Sequence, residues 1–303
     1  MIYTLRHRTT YRYGRAVRFA RCSLRLKPMD GDGQSVLASA VTIDPSPATA
    51  VIRRDYFGIE ALAITLDAPH TAFSVEALST VRVERPAPPP PEAGTPWEAV
   101  RDAALASHDL AGAAPVHFLF PSGRVPLLPE VTDYARPSFG PGRSAYGAAY
   151  DLMSRIRADF RFDAKATTVH TPLAEAFAGR AGVCQDFAHL MIAALRGLGL
   201  PAAYVSGYLR TVPPPGRPRL RGADASHAWV AVWCGDGWLG LDPTNGCAVR
   251  DDHIVVARGR DYGDVAPLDG IVSASGRQRL KVEVDVIPET EAGDAAQGLA
   301  LVG

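Results

Sequence analysis

The stretch that decides the fold is GVCQDFAHLMIAALRGLGLP, residues 182–201. Its apolar residues recur at helical spacing: Phe187, Leu190, Met191, Ala194, Leu195 and Leu198. Such a stripe predicts a strongly buried helix, which the glycines ahead of Pro201 end. Cys184 then lies at the start of this helix, where the positive end of the helix dipole favours a thiolate. Gly182 lets the backbone turn sharply, so that the sulfur can face a cleft while the helix stays in the core.

Strand patterns follow this helix. Residues 203–209, 227–233 and 238–241 are short β-favouring runs, and the last two are joined by a turn with an Asp-Gly pair, which is typical of a hairpin. Residues 280–286 alternate apolar and charged side chains and predict a further strand. A helix followed by antiparallel strands indicates an α+β fold, in which the helix that bears Cys184 packs on an antiparallel sheet.

The region before this core has a different character. From Met1 to about Arg85, β-favouring residues repeat at short intervals, which predicts a small antiparallel sheet or sandwich. The run from Pro86 to Pro91 is proline-rich and indicates a stiff, extended spacer. We therefore expect four parts, namely an N-terminal β-domain (1–85), a Pro-rich linker (86–95), a core that carries Cys184 (96–287) and a loose tail (288–303).

Composition and charge argue against several classes of partner. The chain of 303 residues has 32 basic and 32 acidic residues, so no net field draws it to nucleic acid or to an anionic membrane. No apolar stretch approaches membrane-spanning length, and the N-terminus lacks the basic and then apolar pattern of a signal peptide. We therefore expect a cytoplasmic protein with no nucleic acid or membrane partner and no cofactor, whose four cysteines are reduced thiols. The sequence does not indicate an oligomeric state.

Two further residues join Cys184 in a candidate triad. His227 heads a strand whose other residues are almost all apolar, and Asp242 ends the next strand, one hairpin turn away. Adjacent strands can bring these side chains together, as a nucleophile, a base and a carboxylate that orients the base require. Each residue also has an ordinary explanation, as a small core residue, a core histidine satisfied by one backbone bond, and a turn aspartate.

Other residues compete less well for the roles of base and orienting carboxylate. His189 is five residues from Cys184 on the same helix, so the two side chains point to different faces. Asp224 and Asp236 lie in glycine-flanked or turn segments and are interpreted as solvated loop residues.

Nothing in the sequence predicts a metal site. The clustered acidic stretch near the candidate triad, Asp251-Asp252-His253, lacks the alternating oxygen ligands of a calcium loop. The cysteines show no spacing typical of zinc ligands. We expect no required metal.

The loop before His227 is a candidate rim for a substrate cleft. It contains Pro213-Pro214-Pro215-Gly216 and is bordered by Arg210, Arg217, Arg219 and Arg221. A basic rim would favour acidic acyl donors, although arginines in a loop are usually only solvated.

Several segments resemble bacterial transglutaminase-like proteins of the papain-like cysteine superfamily. They are residues 182–190, 204–209, 225–229, 241–245 and 259–265. Residues 1–85 resemble the N-terminal β-domain of that family, and the resemblance extends over about residues 1–287. The family's segments contain all three candidate residues in the same chain order.

The resemblance implies a papain-like α+β core with Cys184 as nucleophile, His227 as general base and acid, and Asp242 as the residue that orients His227. It implies cysteine-dependent acyl transfer on a peptide or protein amide through a thioester. We expect a peptidase, an amidase or a glutamine deamidase, with a protein-crosslinking transglutaminase and a non-catalytic peptide-binding domain as the alternatives. One oxyanion donor is expected to be the backbone N–H of Cys184.

Overall fold

The computed structural model describes residues 1–211, 222, 224–273 and 276–290. The fold is α+β, with an N-terminal antiparallel β-region followed by a core of helices and an antiparallel sheet, and the predicted fold class is confirmed. Of the tail that we expect to be loose, residues 291–303 lie outside the described part of the chain.

The N-terminal region is built mainly from β1 (Ile2–Val17), β2 (Ala20–Leu24), β3 (Gln34–Asp44), β4 (Thr49–Arg54), β5 (Glu60–Leu66) and β6 (His70–Val83). These strands divide between two antiparallel sheets. In the first half of β1, buried residues alternate with more exposed ones, as expected of a strand with one face on a core. Side chains from both sheets share one apolar core, which includes Val17, Cys22, Ile64 and Phe73. The predicted sandwich is therefore present.

Two strands from late in the chain complete these sheets. They are β14 (Leu268–Val272) and β15 (Gln278–Pro288). β14 pairs with β2, and β15 pairs with β1, with Val286 opposite Leu5. The strand predicted over residues 280–286 is confirmed. The alternation of apolar and charged residues could not predict which strand pairs with it. A two-residue period determines which face of the sheet each side chain is on, but not which strand is the neighbour. We expected residues 96–287 to form the core, yet β14 and β15 pair with strands of the N-terminal region.

Helices dominate the middle of the chain: α1 (Trp97–Leu105), α2 (Pro129–Ala135), α3 (Ala145–Asp159), α4 (Leu173–Gly179) and α5 (Cys184–Gly197), with 3₁₀ turns at Pro115–Phe118 and Arg136–Ser138. The short strands β7 (Arg161–Phe162) and β8 (Ala181–Gly182) pair in parallel just before α5. The predicted helix with Cys184 at its start is confirmed. None of the helices in the described part of the chain combines the length and apolar character needed to span a bilayer.

The core sheet is antiparallel and consists of β9 (Ala202–Leu209), β10 (Ala225–Trp233), β11 (Trp238–Asp242), β12 (Cys247–Ala248) and β13 (His253–Gly259), and it is followed by α6 (Tyr262–Val265). The strand order is β12-β11-β10-β9-β13. Buried residues of α5 share a core with one face of the sheet, including Tyr204, Ala228 and Val230. The other face buries Val205, Trp229 and Val255.

The core sheet curls, since β10 and β9 separate β11 from β13 and yet His253 on β13 contacts Asp242 on β11. β12 and β13 stand at opposite ends of the strand order, yet only residues 249–252 separate them in the chain. Curvature therefore brings the start of β13 towards the end of β11. It also brings His253 close to Asp242.

The proline-rich segment after β6 lies against the core. Residues 84–95 form neither helix nor strand. The Pro91 carbonyl accepts a hydrogen bond from Ser144 Oγ at 2.5 Å, just before α3. A Cβ on Gly147 would lie 2.1 Å from the same carbonyl oxygen, so the close approach of the segment to α3 requires glycine there.

A buried arginine holds the C-terminal end of α5. Arg196 is 2% exposed and donates hydrogen bonds to the carbonyl oxygens of Phe118, Phe120, Ala202 and Arg260 at 2.7–3.1 Å. A buried guanidinium needs such acceptors, because leaving its N–H groups unpaired would cost several kilocalories per mole. The contacts tie α5 to β9 and to the loop before α6, and so fix the helix that carries Cys184.

Candidate active site

Cys184 is the first residue of α5, and Asp186 shapes the helix start. Asp186 Oδ2 accepts hydrogen bonds from the Val183 N–H at 2.8 Å and from Thr167 Oγ1 at 2.6 Å. A Cβ on Gly182 would lie 2.6 Å from this oxygen. Gly182 has no left-handed backbone angle. The glycine is therefore needed to make room for the carboxylate, and not for the sharp turn that we expected.

His227 and Asp242 meet on neighbouring strands. β10 and β11 are antiparallel, with Val230 opposite Leu241, so the start of β10 lies beside the end of β11. His227 Nε2 lies 2.7 Å from Asp242 Oδ2. His227 is 9% exposed and Asp242 is fully buried. The hairpin thus brings together the two residues that the sequence suggested.

Gly207 makes room for the aromatic residue next to His227. Gly207 lies opposite His227 on β9. A Cβ there would lie 2.1 Å from the Ile254 carbonyl oxygen and 2.4 Å from Cη2 of Trp229. The Trp229 ring therefore lies over the glycine, with its centroid 6.1 Å from that of His227. This packing limits the positions that the His227 ring can take.

Asp242 is surrounded by hydrogen-bond donors. Its Oδ2 accepts from His227 Nε2, from Asn245 Nδ2 at 2.7 Å and from His253 Nε2 at 3.2 Å. Its Oδ1 accepts from the backbone N–H groups of Thr244 at 2.9 Å and Asn245 at 3.1 Å. Burial by itself raises the pKa of Asp242, but the hydrogen bonds from His227 and His253 outweigh burial and hold this pKa well below its ordinary value. Asp242 is therefore a carboxylate.

The protonated form of His227 is stabilised from both sides. Burial lowers the pKa of His227, but the hydrogen bonds to Asp242 and to Cys184 and the charges of these two residues raise this pKa above its usual range. Because Asp242 engages Nε2, Nδ1 is the ring nitrogen that remains available to Cys184. A ring between a carboxylate and a thiol in this way can hold the thiol as a thiolate paired with an imidazolium.

The other three thiols lie in less favourable surroundings. Burial raises the pKa of Cys22, and it raises the pKa of Cys234 to about 12, in both cases with help from a nearby aspartate. Burial and the charge of Asp242 raise the pKa of Cys247 to about 11. Cys184 is partly exposed and lies near His227, whose pKa it helps to raise.

The rival histidine is structural. His189 is 5% exposed, and its Nε2 accepts a hydrogen bond from the Tyr262 N–H at 3.2 Å. Burial lowers the pKa of His189 to about 4, so the ring is neutral at neutral pH. Its contacts with Tyr204 and Tyr262 place it on a different side of α5 from Cys184, as the helical spacing predicts.

The prediction that Asp224 is a solvated loop residue is wrong. Asp224 is 5% exposed and accepts hydrogen bonds from the Thr211 N–H at 2.9 Å, from Thr211 Oγ1 and from the Val286 N–H at 2.7 Å. Its flanking sequence could not reveal this burial, because Val286 is 62 residues away in the chain. Asp224 ties the core sheet to β15. Asp236 is exposed in its turn, as expected.

Sequence reasoning missed two residues of the site, Asn245 and His253. Asn245 lies in a family-like segment but received no role, and His253 entered only as part of an acidic stretch. The available signal was their spacing of 3 and 11 residues from Asp242. That signal is weak, because only the curl of the sheet shows that residue 253 returns to the end of β11.

Asp242, Cys247 and His253 also place three potential metal-ligand atoms within 4.8 Å of one another. The hydrogen bonding does not fit a metal site. His253 Nδ1 accepts from the Arg250 N–H at 3.4 Å, so Nε2 carries the proton and directs it at Asp242. A metal-bound histidine needs the opposite arrangement, with a lone pair on the metal and an N–H on an outer acceptor. His253 is better described as a hydrogen-bonded support of Asp242.

A cavity of about 270 Å³ lies beside the site, and Trp229 forms part of its wall. Trp238, Tyr146 and residues 85–88 also line it, and Arg258 stands at its edge, paired with Asp32 at 3.3 Å. Trp229 is buried, as are Tyr204 and Tyr208, whereas Trp238 is partly exposed.

Most of the basic rim predicted before His227 lies outside the described residues. Pro213–Gly216 and Arg217, Arg219 and Arg221 lie outside the described residues. Arg210 is described, and its Nη1 donates to Asp252 Oδ1 at 3.2 Å.

Two family models match the chain. Residues 3–82 match the bacterial transglutaminase-like N-terminal region, and residues 132–243 match the transglutaminase-like superfamily. The second range contains Cys184, His227 and Asp242.

Similar proteins extend over most of the chain. An uncharacterised protein of Mycobacterium tuberculosis is 41% identical over 298 residues, which cover 94% of this chain and 92% of the relative. A crystal structure of a proposed cysteine protease from Cytophaga hutchinsonii superposes with a TM-score of 0.73 at 20% identity, and the match covers 95% of this chain and 91% of that one. It shows the shared fold. A protein-glutamine gamma-glutamyltransferase of Pseudomonas aeruginosa is 32% identical over 111 residues, which are 34% of this chain and 17% of that protein.

Proposed function

Because the chain belongs to the bacterial transglutaminase-like proteins, we propose that it is a cysteine enzyme that transfers acyl groups from peptide or protein amides. Cys184 is the nucleophile, His227 is the general base and acid, and Asp242 orients His227. The observation that carries this proposal is the 2.7 Å contact between His227 Nε2 and the buried Asp242 carboxylate, with Cys184 near enough to His227 to help raise the pKa of the ring. These are the contacts that a nucleophilic triad needs.

The first half-reaction forms a thioester. The Cys184 thiolate attacks the amide carbonyl carbon, and the oxygen takes up the negative charge. As the tetrahedral intermediate collapses, the C–N bond breaks and His227 gives its proton to the departing amine or ammonia. The acyl group remains on sulfur, and His227 is left neutral.

The second half-reaction releases the acid. Neutral His227 takes a proton from water as the water oxygen attacks the thioester carbonyl. The C–S bond then breaks, the carboxylic acid leaves, and the thiolate and imidazolium are restored. Asp242 stays ionised throughout, because its surrounding donors keep its pKa low, and so it stabilises the protonated ring in both half-reactions.

The backbone N–H of Cys184 is the proposed oxyanion donor. Cys184 is the first residue of α5, and the first N–H groups of a helix have no partner within the helix. Asp186 satisfies the preceding Val183 N–H and leaves that of Cys184 to face the carbonyl attacked by its own sulfur. A carbonyl that accepts this N–H would also benefit from the helix dipole.

We infer that water is the main acceptor. The Cys184 side chain is partly exposed, so water reaches the thioester, and no contact among the described residues identifies a closed apolar channel for an amine. Transamidation to an amine is the second candidate, and the partial similarity to a protein-glutamine gamma-glutamyltransferase favours it. A peptide-binding domain with an idle triad is the third candidate, and the hydrogen-bonded triad counts against it.

Mass spectrometry of the protein after brief exposure to a mixture of cell peptides tests the proposal. We expect an acyl adduct on Cys184 that disappears slowly in water. Cys184→Ala should carry no adduct, and Cys234→Ala should carry the same adduct as the wild type. Peptide binding without an adduct or product would instead support the non-catalytic candidate.

A further inference from the structure

We propose that His253 is a positioning residue of the triad, and that the N-terminal β-region holds His253 in place through Arg85. The proposal rests on the proposed function, since it concerns how Asp242 is kept in its working orientation. It assigns a role in the site to a residue on β13 and to the segment that links the two halves of the protein.

His253 donates to the same Asp242 oxygen as His227. Its Nε2 lies 3.2 Å from Asp242 Oδ2. Because its Nδ1 accepts from the Arg250 N–H, the proton is held on Nε2. The ring is 4% exposed and packs edge to face on Trp229, with centroids 5.2 Å apart. Its tautomer and its direction are therefore both fixed.

This second histidine limits the rotation of the carboxylate. Asp242 Oδ2 lies between His227 from β10 and His253 from β13, while Asn245 donates to the same oxygen. If His253 were lost, this buried oxygen would keep fewer partners and the carboxyl group could turn away from His227. A carboxylate orients the histidine only while it faces the ring. Loss of His253 should therefore lower the reactivity of Cys184.

The turn that presents His253 is held from the N-terminal region. Arg85, just after β6, donates from Nη1 to the carbonyl oxygens of His253 at 2.6 Å and Arg250 at 3.0 Å. The Arg85 N–H donates to Asp251 Oδ1 at 3.0 Å. Tyr3 on β1 adds a bond from its hydroxyl to Asp252 Oδ1 at 3.0 Å. Residues 250–253 are thus fixed by side chains that belong to the other half of the fold.

The test measures how fast iodoacetamide alkylates Cys184 as a function of pH in the full chain. This rate follows the thiolate paired with His227 and needs no substrate. We expect His253→Leu to slow the reaction near neutral pH by about 10-fold, by analogy with the loss seen when the hydrogen-bonded partner of a metal-binding side chain is removed. The rise of the rate with pH should move to higher pH, because a poorly oriented His227 stabilises the thiolate less.

Two further variants separate positioning from stability. His253→Gln keeps an N–H donor near the position of Nε2 and should restore most of the wild-type profile. His7→Leu is the matched control, because His7 is as buried as His253, lies between the same two regions and bonds to Tyr208 and Thr9 instead of Asp242. It should lower stability and leave the alkylation profile unchanged.

A double-mutant cycle tests the part played by Arg85. Arg85→Met should shift the pH dependence of Cys184 alkylation in the same direction as His253→Leu, but less. In the His253→Leu background it should have little further effect, because both residues act through the position of Asp242. A profile for His253→Leu that matches the wild type while stability falls as in His7→Leu would overturn the proposal. Equal effects of Arg85→Met in both backgrounds would overturn the role of Arg85.

The outcomes also distinguish this proposal from the proposed function. If the profile shifts as expected but no amide is ever converted, the positioning role holds and the enzyme assignment fails. If wild-type Cys184 reacts like an ordinary thiol, there is no thiolate and imidazolium pair to position, and both fail together.

Discussion

His227 Nε2 lies 2.7 Å from Asp242 Oδ2, and the carboxylate is fully buried at the end of the neighbouring strand. A buried carboxylate with that contact stabilises the protonated ring. The reactivity of Cys184, the pH dependence of the site and the cost of several substitutions all depend on this relationship.

Cys184 should be alkylated by iodoacetamide well before the other three cysteines at neutral pH. Cys184 lies near His227 at the start of α5, whereas burial raises the pKa of Cys22, Cys234 and Cys247. Site-resolved mass spectrometry over a time course measures the order. Labelling of any of the other three at the rate of Cys184 would contradict the assignment of the nucleophile.

Asp242→Asn should lower turnover by ~10²-fold or more with the fold retained, because an amide cannot stabilise the imidazolium as a carboxylate does. Asp224→Asn is the matched control. It should mainly lower stability, since Asp224 ties Thr211 to Val286 and is not bonded to His227. Turnover and thermal unfolding of both variants check this pair. A dead Asp224→Asn beside a nearly normal Asp242→Asn would reverse the roles.

Hydrolysis or deamidation should exceed crosslinking when a glutamine peptide and a primary amine are offered together. Water is in large excess over any amine, and the Cys184 thioester would be partly exposed. Product masses, compared with those from Cys184→Ala, measure the ratio. A predominant amine adduct that depends on Cys184 would make this protein a transglutaminase.

Gly207→Ala should destabilise the protein by about 1–3 kcal/mol or more, as expected when a tightly packed site is overfilled. The added Cβ would lie 2.1 Å from the Ile254 carbonyl oxygen and 2.4 Å from Trp229. Gly237→Ala is the matched control, because a Cβ there meets no atom within 4 Å. The midpoints of thermal unfolding of the two variants measure the difference. Equal midpoints would show that Trp229 moves aside without loss of stability.

Acid should destabilise the protein partly through His189. Burial lowers the pKa of His189 to about 4 in the folded protein, while the unfolded value is 6.5. The unfolded state therefore binds the extra proton first, and the contribution of the neutral ring to stability is lost as the pH falls from about 6.5 towards 4. His189→Gln should flatten the dependence of the unfolding free energy on pH in this range. An unchanged slope would show that His189 is protonated in the folded state.

Several features of the fold could be predicted because they depend on local patterns. The buried helix from Cys184, the hairpin that ends at Asp242 and the strand over residues 280–286 each follow from periodicity and turn residues within about 15 positions. The interpretation of Asp224 failed for the opposite reason. Its partner on β15 is a distant residue, and flanking glycines say nothing about such a contact.

By itself, the sequence determined the class of fold, the helix that carries the cysteine and the chain order of Cys184, His227 and Asp242, since these depend on residue spacing along single elements. Only the tertiary structure decided which strands join which sheet, and that His253 and Asn245 surround the Asp242 carboxylate. The physical reason is the curl of the core sheet. Residue 253 approaches Asp242 across two intervening strands, and that approach exists only once all five strands are paired.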